Sequence, residues 1–235
     1  MAATTFSECV RRPFPYAVAV VIILLSAASR LFLGFSFGAD VREIQNIGLS
    51  AVFLAGLGQA AFVGTTLVRR DLERGTLGLV LSKPIHLADY VIGRYLGLLA
   101  ATIVVSAAVA LGVSVVIWLL PAESAGATPF DASLFHGWLR VLVLVAVLNG
   151  AALAASACAT RVVAPLLLVG LFLAGSIAGG SAFGFFLPDF ALFGLEVRAK
   201  IPWGTLTAYG AVFCAIFLVV TYILLASRAT LRRSG

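Results

Sequence analysis

Long apolar runs, separated only by short polar passages, dominate this sequence. One of the clearest covers residues 47–68, and as a helix it would be about 33 Å long, enough to cross the roughly 30 Å hydrocarbon core of a bilayer. Apolar residues make up 62% of the chain and charged residues 11%, against roughly 45–50% and about 25% in soluble domains. The mean hydropathy is +1.11. We therefore expect an all-α integral membrane protein.

The apolar runs predict a single membrane domain over residues 1–235 with six transmembrane helices. The predicted spans are about 14–33, 47–68, 92–120, 138–159, 163–184 and 203–227. Thr5 and Glu8 have the spacing of a capping box and predict a short interfacial helix before Pro13. The segment 188–202 is too short to span, and we expect it to re-enter the outer leaflet before the last span.

Lysine and arginine residues predict the orientation of these spans. With six spans, both termini fall on one side, which carries most of these residues: Arg11, Arg12, Arg69, Arg70, Arg74, Lys83, Arg94, Arg161, Arg228, Arg232 and Arg233. Because cytoplasmic loops carry the excess of basic residues, we expect cytoplasmic termini. The net charge of +6 does not indicate a nucleic-acid partner, since the basic residues lie beside apolar runs and not in a patch with aromatics.

Residues 69–97 form the longest charged passage and separate two of the predicted spans. Leu77, Val80 and Leu81 fall on one helical face, and Pro84 cannot continue a helix. A short helix at the membrane surface is predicted, ending near Ser82. Asp89 is expected in the first turn of the next helix, where the positive end of the helix dipole favours an anion.

Two passages resemble the permease subunits of ATP-binding-cassette transporters of the type-2 exporter class. The first passage has three parts, each similar to a family motif: residues 72–77 (LERGTL) to E-x-G-T-L, residues 79–85 (LVLSKPI) to L-L-S-x-P-I, and residues 92–97 (IGRYLG) to G-K-Y-L-G. Residues 186–193 (FLPDFALF) and 201–203 (IPW) are similar to the connection before the last span. Arg94 stands where lysine is commoner, and His86 and Leu87 replace a usual Ser-Arg pair.

This resemblance implies a coupling helix that is gripped by a cytoplasmic ATPase subunit. The residues that it assigns to this interface are Glu73, Arg74, Gly75, Thr76, Leu77, Val80, Leu81, Ser82, Lys83, Pro84 and Arg161. It also implies a working unit of two ATPases and two permease copies, identical or different, in the bacterial inner membrane, with ATP and Mg bound by the ATPase. The residues alone leave a second interpretation open, in which this loop is only a solvated connector.

The sequence lacks the residues that ion-coupled transporters, nucleotide-binding proteins and metal-binding proteins usually need. No predicted span has a charged residue at its middle, whereas ion-coupled transporters usually need buried ionisable groups. There is no G-x-x-x-x-G-K-[ST] phosphate loop, so we expect no ATP hydrolysis or cofactor binding by this chain. Cys9, Cys158, Cys214 and the two histidines have no metal-type spacing. Gln59 and Asn149 are polar residues inside predicted spans. Each has two possible roles: it forms a hydrogen bond between helices, or it lines a translocation path.

Two further alternatives stay open at this level. The chain could act as a non-transporting assembly or maturation factor that transmits ATPase motion to a periplasmic partner, instead of moving a substrate outward. Arg11 and Arg12, followed by an apolar core and residues 26–28 (SAA), also have the outline of a secretory signal peptide. We expect a retained first helix, because five more spans follow and the family resemblance implies one.

Overall fold

The computed structural model describes residues 2–11, 20, 41–73, 86–118, 132–178, 188, 190 and 202–231, and within these residues all regular structure is helical. The helices are α1 (Ala2–Val10), α2 (Val41–Gln59), a π-helical turn (Ala60–Gly64), α3 (Thr65–Glu73), α4 (Leu87–Trp118), α5 (Ala132–Cys158), α6 (Val163–Ala178) and α7 (Trp203–Leu231). Because α2, the π-helical turn and α3 follow one another without a break, we call them together the 41–73 rod. The predicted all-α class is confirmed.

Among the described residues, four helices are long and apolar enough to cross a membrane: Gly48–Glu73, Leu87–Val115, Phe135–Cys158 and Trp203–Arg228. They correspond to the second, third, fourth and sixth predicted spans. The described part of the fifth predicted span is α6, whose 16 residues give a helix about 24 Å long. The first predicted span, 14–33, lies outside the described residues except for Val20.

Helix boundaries follow local signals in the sequence. Proline is tolerated in the first turn of a helix because the N–H that it lacks would have no partner there. Pro165 is the third residue of α6, in the first helical turn, as this rule predicts from the sequence. Pro202 directly precedes α7 and accepts the Leu206 N–H at 3.3 Å. Asp89 lies in the first turn of α4, as predicted from the helix dipole.

The core forms where the 41–73 rod packs against α5. A Cβ atom added at Gly56 would lie 2.6 Å from a methyl group of Val145, and one added at Gly64 would lie 3.0 Å from Ala152. In the sequence, Gly56, Ala60 and Gly64 recur every four residues, a small-residue stripe that predicts close packing between helices. The two glycine contacts confirm this prediction. Because residue numbers rise together along both helices, the rod and α5 run parallel. Most of α5 is buried, whereas α7 exposes much of its apolar surface.

The amino-terminal helix differs from its prediction in one respect. It begins at Ala2, so Thr5 lies inside α1 and is not its N-cap. The capping interpretation is wrong because the two box residues make distant contacts instead: the Thr5 hydroxyl accepts a hydrogen bond from Arg94 at 3.1 Å, and Glu8 pairs with two arginines. Cys9 points into the core and is fully buried.

Only Pro188, Phe190 and Pro202 are described in the segment predicted to re-enter the outer leaflet. Phe190 is buried, and its ring centroid lies 5.2 Å from that of Phe172 on α6. The start of the segment therefore packs against α6, within the same core as α5. The rest of this prediction lies outside the described residues.

Candidate functional site

Two of the predicted coupling residues, Glu73 and Arg161, are described, and the structure brings them together. The other predicted coupling residues fall within 74–85 and lie outside the described residues. Glu73 is the last residue of α3, and Arg161 lies in the turn between α5 and α6. The Arg161 guanidinium forms an ion pair with the Glu73 carboxylate, although the two residues are far apart in the sequence.

Glu73 forms a second ion pair, with Arg69 of its own helix. Arg69 Nε donates to Glu73 Oε1 at 3.0 Å, across one helical turn. The Arg69 backbone N–H also donates to the Ser156 hydroxyl of α5 at 3.0 Å. The Glu73 and Arg161 side chains are 36% and 53% exposed, and ion pairs with this exposure contribute little to stability. Their main effect is to fix the end of α3 beside the α5–α6 turn.

A second charged cluster joins α1, α3 and α4, and sequence reasoning did not predict it. The Glu8 carboxylate contacts Arg70 at 3.2 Å and Arg94 at 3.3 Å. Arg94 also pairs with Asp71, and the Tyr90 hydroxyl donates a hydrogen bond to the same carboxylate. The Arg94 side chain is only 13% exposed. We call Glu8, Arg70, Asp71, Tyr90 and Arg94 the arginine cluster.

The arginine cluster depends on close packing between α1 and α4. A Cβ atom added at Gly97 would lie 2.6 Å from the Ala2 carbonyl oxygen and 2.6 Å from Thr5 Cβ. Because Gly97 has no side chain, α1 can lie directly on the first turns of α4, which brings Glu8 within reach of Arg94. The Arg94 guanidinium carbon also lies 5.7 Å from the Tyr90 ring centroid, an arrangement that favours a cation–π interaction.

The Glu73–Arg161 ion pair and the arginine cluster lie at the same end of the bundle. In the sequence, their residues flank the segment 74–85. Glu73 directly precedes this segment, and Tyr90 and Arg94 follow it within the first turns of α4. The carboxyl end of α7 reaches the same end, where Arg228 donates to the Cys158 carbonyl oxygen at 3.4 Å. The sequence contained one signal of the arginine cluster, since the acidic Glu8 precedes the first predicted span and several arginines lie at membrane edges. Nothing in the local sequence pattern shows which of these residues pair.

Gln59 and Asn149 lie inside the bundle, away from both charged groups. Asn149 is fully buried, and its Nδ2 donates to the Thr102 hydroxyl of α4 at 3.0 Å. Gln59 is also buried, but its amide has no hydrogen-bond partner in the part of the chain that the structure describes. Among those same residues, no three His, Cys, Asp or Glu side chains come together as metal ligands would.

Comparison with known families supports the resemblance seen in the sequence. The family model described as "ABC-2 family transporter protein" matches residues 28–196, most of the chain. This match includes the 41–73 rod, α4, α5, α6, and both ends of the 74–85 segment. No curated protein matches the chain.

Proposed function

Since the chain belongs to the ABC-2 family of transporter proteins, we propose that it moves a substrate outward using ATP hydrolysed by separate ATPase subunits. Its family and its apolar helices make it a multi-pass membrane permease of an ATP-binding-cassette transporter. On this proposal the chain hydrolyses no ATP and binds no cofactor, and ATP and Mg bind to the ATPase. The working unit has two ATPases and two permease copies, and the membrane is the bacterial inner membrane.

One observation carries the coupling part of this proposal. The described residues on either side of 74–85 form ion pairs with other parts of the bundle. Glu73 pairs with Arg161 of the α5–α6 turn, and Arg94 pairs with Glu8 of α1 and Asp71 of α3. A displacement of this segment would therefore act on several helices together. This is the property required of an element that passes ATPase motion to a membrane domain.

The proposed topology has six spans, cytoplasmic termini and a re-entrant outer segment before the last span. Two structural relations support it. First, the 41–73 rod, α5 and α7 run parallel. Residue numbers rise together from the Gly56–Val145 to the Gly64–Ala152 contact, and from the Val143–Gly210 to the Gly150–Phe217 contact. Parallel second, fourth and sixth spans are what alternating crossings require. Second, the ends of α3, α5 and α7 meet at the charged end, which the positive-inside rule assigns to the cytoplasm.

The exposed apolar surface supports a lipid or permease neighbour. Large apolar side chains on α6 and α7 are exposed, among them Leu166 at 67%, Ile177 at 82% and Val212 at 57%. Apolar area of this extent on a membrane protein is covered by lipid or by another membrane subunit. We propose that both occur, with the second permease copy covering part of this surface.

Charge reversal tests the coupling proposal. Glu73→Arg or Arg161→Glu should each place like charges together, and both should lower ATP hydrolysis by the purified permease–ATPase complex. The double variant should recover part of the rate; recovery stays partial because Arg69 also contacts Glu73. Arg11→Glu is the matched control, since this exposed arginine precedes the first predicted span. Single variants that insert normally and keep the full rate would contradict the coupling role.

The same complex separates transport from a purely mechanical role in maturation. A transporter should hydrolyse ATP faster when its solute is added to the reconstituted complex. A maturation factor should respond instead to its periplasmic partner and not to any solute. Hydrolysis that a soluble periplasmic extract stimulates, and that small solutes leave unchanged, would favour the mechanical alternative over outward transport.

A further inference from the structure

Three buried amide atoms lie inside the bundle without a hydrogen-bond partner among the described residues. They are Oε1 and Nε2 of Gln59 and Oδ1 of Asn149. Gln59 is 1% exposed and Asn149 is 0% exposed. Leaving an amide unbonded in an apolar environment is energetically unfavourable, and buried polar groups in native proteins are almost always bonded to protein or to ordered water. These atoms therefore require a partner.

The packing register places the two amides in the same layer of the core. Gly56 packs on Val145, and Gly64 packs on Ala152. Gln59 follows Gly56 by three residues and therefore lies on the same helix face as Gly56. In the same way, Asn149 follows Val145 by four residues and lies on the same face as Val145. Since the 41–73 rod and α5 run parallel, Gln59 and Asn149 lie between the same two contacts.

The π-helical turn keeps this register. Gly56 and Gly64 are eight residues apart, which is one residue more than the seven that make about two turns of an α-helix. The π-helical turn Ala60–Gly64 absorbs the extra residue, as the Thr65 N–H bond to the Ala60 carbonyl oxygen shows. Such single π turns inside α-helices are frequent at functional sites. Gln59 directly precedes this turn.

The chemistry of the three atoms selects the ligand. Asn149 Nδ2 is already bonded to Thr102 Oγ1 at 3.0 Å, and the Thr102 hydroxyl donates to the Leu98 carbonyl oxygen at 2.9 Å. Two carbonyl oxygens therefore need donors, while the Gln59 NH₂ group needs an acceptor. A metal cation accepts no hydrogen bond, and an anion such as chloride donates none. Water supplies both donors and acceptors, and buried water usually makes about three hydrogen bonds to such groups.

We propose that Gln59 and Asn149 form a binding site for ordered water between the 41–73 rod and α5. The site lies between the apolar packing of Gly56 on Val145 and that of Gly64 on Ala152. This inference does not depend on the proposed function, because it follows from the amides and the packing register alone.

Radiolytic hydroxyl-radical footprinting tests the site, since bound water is split in place and labels the adjacent side chain. Val145, which lies one helical turn before Asn149 on the same face, should be labelled although it is 1% exposed, whereas Val68, also 1% exposed, should not. In the variant Gln59→Met with Asn149→Leu, labelling of Val145 should fall to the level of Val68. Ser114→Ala is the matched control, because this hydroxyl is already bonded to a backbone carbonyl, and it should leave the labelling unchanged.

Two results would overturn the proposal. If Val145 in the unmodified protein is labelled no more than Val68, the layer is dry, as it would be if the two amides bonded each other directly. If Val145 is labelled equally before and after removal of both amides, the water belongs to another site. Should the double variant fail to fold, the comparison of Val145 with Val68 in the unmodified protein still decides the question.

Discussion

Replacing Gly97 with alanine should loosen the amino-terminal helix without unfolding the protein. The new Cβ would lie 2.6 Å from the Ala2 carbonyl oxygen and from Thr5 Cβ, whereas unstrained contacts are about 3.5–4.0 Å. The helix α1 must therefore move away by about 1 Å. This lengthens the 3.1 Å and 3.3 Å contacts of Arg94 with Thr5 and Glu8 beyond ordinary hydrogen-bond range.

The expected magnitude follows from these two contacts. Hydrogen bonds to charged groups contribute about 1.5–3 kcal/mol, and because Glu8 is partly exposed we discount their sum for solvent screening to about 1.5 kcal/mol. Since 1.4 kcal/mol is a factor of ten in an equilibrium constant, the detached state of α1 should become about tenfold more populated.

Cys9 reports this detachment, because it lies on α1 and is 0% exposed. With Cys158 and Cys214 replaced by alanine, maleimide should label Cys9 about tenfold faster in the Gly97→Ala protein, when labelling tracks the open population. Gly170→Ala is the control, since a Cβ there meets nothing within 4 Å, and it should leave the rate unchanged. Equal rates in the two variants would refute the packing argument.

Two further predictions concern the arginine cluster and the topology. Arg94→Met leaves the Asp71 carboxylate, 15% exposed, without its guanidinium, and it should lower the free energy of unfolding by about 3 kcal/mol; no change in denaturation of the purified protein would contradict this. An introduced Arg233→Cys thiol should react with membrane-impermeant reagent only from the cytoplasmic side, and labelling from the periplasm of intact cells would defeat the predicted orientation.

The sequence was sufficient for the features that depend on local composition. Apolar run length requires helices in lipid, because every backbone polar group must be bonded within its own segment. Pro165 and Asp89 correctly marked the starts of α6 and α4, since helix starts follow local rules. The stripe of Gly56 and Gly64 correctly indicated close packing between helices.

The arginine cluster could not be predicted in the same way. Glu8 meets Arg94 across 86 residues, and only the packing of α1 on Gly97 decides this pairing. The same tertiary contacts made the capping interpretation of Thr5 wrong. The π-helical turn also had no local signal, because it arises from the register that the 41–73 rod must keep against α5.

The central claim is that residues 74–85 receive the ATPase. The most direct measurement is co-purification of the ATPase with the variant that carries Leu77→Asp and Leu81→Asp, because buried apolar anchors carry most of the energy of an interface. Leu134→Asp, in the first turn of α5 at the end of the bundle that the predicted topology places outside, is the matched control. We predict normal membrane insertion for both variants and loss of the bound ATPase only in the Leu77 and Leu81 variant. Normal insertion with the ATPase still bound and hydrolysis unchanged would contradict the account.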